Sequence, residues 1–90
     1  MKKVNSVRRA AKAGSWYEKS AEKLSKELQS YLDKAEKTIG QDDTLKAIIG
    51  PHAGFTYSGP TAGWAYKNID AAQFDRVVLL GPSHRLPFIL

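Results

Sequence analysis

The chain contains no cysteine, so no disulfide framework can hold it together, and a reducing, cytoplasmic setting is the expectation. It has no apolar run approaching the roughly 18 residues a membrane span needs, which excludes a spanning helix. Acidic residues are missing from the first 17 positions, where Lys2, Lys3, Arg8, Arg9 and Lys12 are concentrated. These five cations account for the whole net charge of +5, because the rest of the chain balances its basic residues against nine acids. A nucleic-acid-binding face would carry its excess within the folded segment, so residues 1–12 are expected to be a flexible, solvated basic arm. Asn5, Ser6, Arg8 and Arg9 leave no room for the apolar core of a signal peptide, although an acid-free basic start remains compatible with a transit peptide.

With 90 residues, of which 42% are apolar and 26% charged, the chain has the composition of one small globular domain of marginal core size. Ala13-Gly14-Ser15-Trp16-Tyr17 has the character of an aromatic turn. Ser20 suits a helix N-cap, with Glu22 in the first turn. Ala21, Leu24, Leu28, Tyr31, Leu32 and Ala35 recur at helical spacing, and Gly40 is a natural stop. Beyond a polar connector at 41–44, the apolar run 45–49 ends at Gly50-Pro51, and a second run, 77–80, ends at Gly81-Pro82. Their length and β-branching predict strands, and Gly59-Pro60 predicts the opening of a short helix at 61–68. Strand, helix, strand is a βαβ unit over 45–84, so the expected fold class is α/β with a parallel sheet. Two strands cannot form a stable sheet alone, which predicts an incomplete domain spanning 1–90.

The two strand exits resemble each other: Ile49-Gly50-Pro51-His52 and Leu80-Gly81-Pro82-Ser83-His84. Ligand sites in open α/β sheets lie beyond the carboxyl ends of the strands. Neighbouring strands would bring the imidazoles of His52 and His84 to within reach of one ion. Neutral imidazoles suit zinc, copper, iron or nickel; the alternative is that each histidine bonds to loop backbone. A metal needs at least a third ligand, and none stands out; Asp42, Asp43, Asp70 and Asp75 fall in connectors or at the far sheet edge. Ser83 beside His84 lacks the elbow of a serine hydrolase. Trp64 is expected in the core. Phe55 and Tyr57 are expected in the loop after His52, and Trp16 either caps the core or lines a pocket.

Three blocks in order, 13–17, 47–59 and 79–84, closely resemble the Memo family, and the likeness runs from about Arg8 to Pro87. The resemblance implies an α/β fold shared with class III extradiol dioxygenases. It also implies a copper or iron ion held by residues matching His52 and His84, and a cleft lined by residues matching Trp16 and Tyr57. By the same resemblance, the family acts in receptor tyrosine kinase signalling and cell migration, and it docks phosphotyrosine peptides of activated receptors. It is related to AmmeMemoRadiSam system protein B. Its third metal ligand is a cysteine far downstream, which this chain lacks, so a truncated, inactive form is expected. Two functions are implied: a metal-dependent oxidoreductase of dioxygenase type, or a peptide-binding adaptor without catalysis.

Overall fold

In the computed structural model of the chain, residues 6–85 are described. Lys2 and Lys3 of the basic arm, and residues 86–90, lie outside them. Helix α1 spans Ala21–Lys34, as its capping and periodicity require. The Ser20 hydroxyl accepts from the Lys23 amide at 3.4 Å, satisfying one of the first-turn donors that a helix leaves unpaired. Glu22 and Lys34 stand at the ends where their charges oppose the helix dipole, and Glu22 also pairs with Lys26 at 3.3 Å. The helix closes at Ala35, whose backbone is extended and whose N–H returns to the Leu32 carbonyl.

Helix α2 spans Phe55–Tyr66, six residues earlier than the Gly59-Pro60 signal suggests. Pro60 therefore lies inside the helix, where it supplies no amide for the Thr56 carbonyl. The start is held in another way. Gly54 has no side chain to cap with, and the Phe55 N–H donates instead to the Trp16 carbonyl at 2.7 Å. The Ser58 hydroxyl bonds back to the carbonyls of Ala53 and Gly54 at 2.9 and 3.2 Å. Phe55 and Tyr57 thus belong to the first turn of a helix and not to a loop. A short 3₁₀ turn, Ala71–Gln73, follows; Asp70 caps it by accepting from the Ala72 amide. Asp43 similarly accepts from the Gly40 amide at 2.6 Å, so both carboxylates serve local turns.

The two helices pack through the small face of α2. Ser58, Gly59 and Gly63 are buried there, and Tyr31 of α1 fills the space their missing side chains leave. A methyl group on Gly63 would stand 2.7 Å from the Tyr31 carbonyl oxygen, so glycine is what permits the approach. Asn68, just beyond α2, fastens the segment after α1. Its Oδ1 accepts from the Thr38 and Ile39 amides at 2.8 and 3.3 Å, while its Nδ2 donates to Thr38 Oγ1 and the Trp64 carbonyl. Burial is otherwise slight: Ala35 is the single buried apolar residue among the described residues, and Trp64, expected in the core, is exposed.

The α/β expectation is corrected here. Among the described residues there are two α-helices and no strand; an isolated parallel bridge between Ala13 and Tyr17 is the nearest approach to β structure. The runs 45–49 and 77–80 carry no ladder, and Ile49 and Leu80 are 96% and 91% exposed. The reason is physical. β-branched composition expresses fitness for a pleated, half-buried surface, and parallel strands persist only when both faces are covered. Leu45 and Ile48 are only half-buried and 77–80 is exposed throughout, so neither run has both faces covered and its composition is not converted into structure.

Candidate functional site: two histidines against a tryptophan

The turn over residues 12–17 is built by the backbone. Gly14 takes a φ of 88°, a conformation that excludes most side chains, and its amide donates to the Tyr17 carbonyl at 2.7 Å. The amides of Ser15 and Trp16 both donate to the Lys12 carbonyl. This turn is clipped to α2 by the Phe55–Trp16 backbone bond and by the Tyr17 and Phe55 rings, whose centroids are 5.5 Å apart. His52 lies two residues before Gly54, the N-cap of α2, so the same clip places its imidazole beside the Trp16 indole at 5.3 Å between centroids.

His84 joins this assembly through His52. Its Nε2 stands 3.0 Å from Nε2 of His52, with the rings nearly parallel at 18° and centroids 5.2 Å apart. As a hydrogen bond, the contact has one Nε2 donating and the other accepting, in roles set by the tautomers. As neutral ligands both lone pairs would face one ion. Nitrogens about 2.0–2.1 Å from a common ion are roughly 2.9–3.4 Å apart for bond angles between a right angle and tetrahedral. The observed spacing falls in that range, so the two donors fit two adjacent coordination positions. Both rings are solvent-exposed, and among the described residues no third His, Cys, Asp or Glu completes a metal-holding group.

Of the four residues singled out from the sequence, the fold brings together His52, His84 and Trp16. Tyr57 is 84% exposed on the first turn of α2, with no side-chain hydrogen bond or ring contact among the described residues. Sequence reasoning missed Lys12, whose Nζ lies over the Trp16 ring at 5.9 Å, within cation–π range. Its spacing of four residues from Trp16, inside a glycine turn, was the available signal.

The Memo-like protein family model matches residues 8–88, nearly the whole chain. The chain belongs to the Memo-like family. Protein MEMO1 of Danio rerio is 45% identical over 80 residues, covering 89% of this chain and 26% of the relative. Protein MEMO1 of Homo sapiens is 42% identical over 80 residues with the same coverage, and the memo-1 homolog of Caenorhabditis elegans is 44% identical over 78, covering 87% of this chain and 21% of the relative. This Memo-like chain therefore spans about a quarter of the length of the curated relatives it matches. No solved structure matches it. Among its described residues, no helix is long and apolar enough to cross a membrane.

Proposed function

We propose that this chain supplies the histidine pair of a Memo-like metal-binding redox protein, with His52 and His84 as two ligands of a copper or iron ion. The observation that carries this reading is the 3.0 Å separation of the two Nε2 atoms, which fits adjacent positions on one ion. The bound ion would supply one-electron redox chemistry or oxygen activation. Trp16 packs against His52 and restricts its ring, while the Phe55–Trp16 bond ties that support to α2. The pair is a partial site: the chain has no cysteine to match the third ligand the resemblance implies, so the 90-residue chain carries donors without turnover. In the whole protein the site would serve receptor tyrosine kinase signalling and cell migration, in the cytoplasm. The test is metal content after loading with copper or iron. His52→Ala and His84→Ala should each lower it; unchanged content in the double variant would end the metal reading.

A second reading is favoured by Lys12 over Trp16. A cation and an aromatic face beside exposed imidazoles suit a phosphotyrosine side chain, as an adaptor without catalysis would use. Tyr57 is exposed near the same helix start and would line that cleft. Under this reading His52→Ala lowers peptide affinity whether or not metal is present; under the first it lowers peptide affinity only through the ion.

A further inference from the structure

Arg8, Arg9, Ala10, Ala11, Lys12 and Tyr17 line an open cavity of about 360 Å³. Three of these six residues are cations, and no carboxylate pairs with any of them among the described residues. The first acid in the chain is Glu18. We infer that this cavity is a binding site for a phosphate dianion, free or as a monoester. The cavity is distinct from the His52–His84 pair, and the inference holds whether or not that pair binds metal.

Each feature of the cavity suits that chemistry. Arginine presents a planar fork of donors that matches two phosphate oxygens at once, and lysine adds a point charge. Tyr17 adds a phenolic hydroxyl donor. A monoester at neutral pH carries about −1.5 to −2 charges, so its charge is closer to that of three cations than the single charge of a carboxylate is. The backbone turn that begins at Lys12 holds the cationic segment at one end, through Ser15, Trp16 and the Gly14–Tyr17 bond. That anchorage distinguishes it from a free basic tail, whose charges share no fixed cavity.

The test is a titration of the isotope-labelled 90-residue chain with inorganic phosphate at constant ionic strength, followed by amide chemical shifts. Saturable shifts confined to residues 8–12 and Tyr17 are expected, with chloride producing none. The double variant Arg8→Gln/Arg9→Gln should weaken the interaction at least about tenfold, since each charge-assisted bond is among the strong ones. These side chains are exposed, so the variant keeps its fold, and a retained Trp16–His52 ring contact verifies it. Glycerol 3-phosphate and vesicles of phosphatidic acid, against vesicles of phosphatidylcholine, separate the sources: tighter binding of one of them names a soluble ester or a lipid headgroup. Linear, non-saturating shifts would overturn the inference, as would equal response to chloride, undiminished binding by the double variant, or absence of the Trp16–His52 contact in the unmodified chain.

Discussion

Replacing Gly63 by alanine tests how the helix pair is held. A methyl there would lie 2.7 Å from the Tyr31 carbonyl oxygen, 3.0 Å from its carbonyl carbon and 3.3 Å from its Cβ. The first two are backbone atoms of α1, so the clash cannot be relieved by a side-chain rotation; the helices must separate by several tenths of an ångström. Two opposing effects decide the sign. Alanine in a helix interior gains about 0.5–1 kcal/mol over glycine. Forcing an extra methyl into a close contact costs about 1–3 kcal/mol. The clash wins, and a net loss of about 1 kcal/mol is expected. The assay is urea unfolding followed by helical circular dichroism, with Gly81→Ala as the control. A methyl on Gly81 meets nothing within 4 Å, so that variant should stay within about 0.5 kcal/mol of the parent. Equal or higher stability of Gly63→Ala would refute the close packing of α2 on Tyr31.

Asn68→Ala removes the acceptor for two backbone amides and the donor to Thr38, and should cost about 1–2 kcal/mol. Amide exchange at Thr38 and Ile39 should accelerate selectively; unchanged protection there would count against the clasp. Tyr31 donates to Glu27 Oε1 at 2.5 Å, and this bond, with burial and the carboxylate's charge adding to it, raises its pKa from 10.0 to about 12. Because the folded value exceeds the unfolded one, this stabilisation is complete below pH 10.0 and is lost as pH rises toward about 12. Phenolate absorbance should show one late-titrating tyrosine that Glu27→Gln shifts downward; a late titration that survives the substitution would sink the assignment.

How far the sequence could be read depended on whether the relevant physics was local. Helix α1 was legible because Ser20, Glu22 and the apolar spacing all act within a few residues of one another. The start of α2 was misplaced because Gly59-Pro60 resembles an opening signal, whereas the true start depends on a bond from Phe55 to Trp16, 39 positions away by number. Pro60 inside the helix is tolerated in a segment whose first turn is secured by that bond and by Ser58. The runs 45–49 and 77–80 have strand composition, but a strand is completed by neighbours that composition cannot supply. The repeated Gly-Pro context drew attention to His52 and His84, and their rings do lie together, but without the sheet edge that was expected to align them. In the sequence Lys12 reads as part of a solvated arm, because its contact with Trp16 depends on the turn that Gly14 makes. Tyr57 matched a family motif, and the first turn of α2 leaves it exposed.

The central claim is that His52 and His84 bind one ion together. Electron paramagnetic resonance of the chain loaded with one equivalent of Cu(II) reads the nitrogen ligands directly. Two imidazole nitrogens are expected in the parent, and one in His52→Ala and in His84→Ala, each with weaker binding. The same nitrogen count in the parent and in His84→Ala would contradict the account.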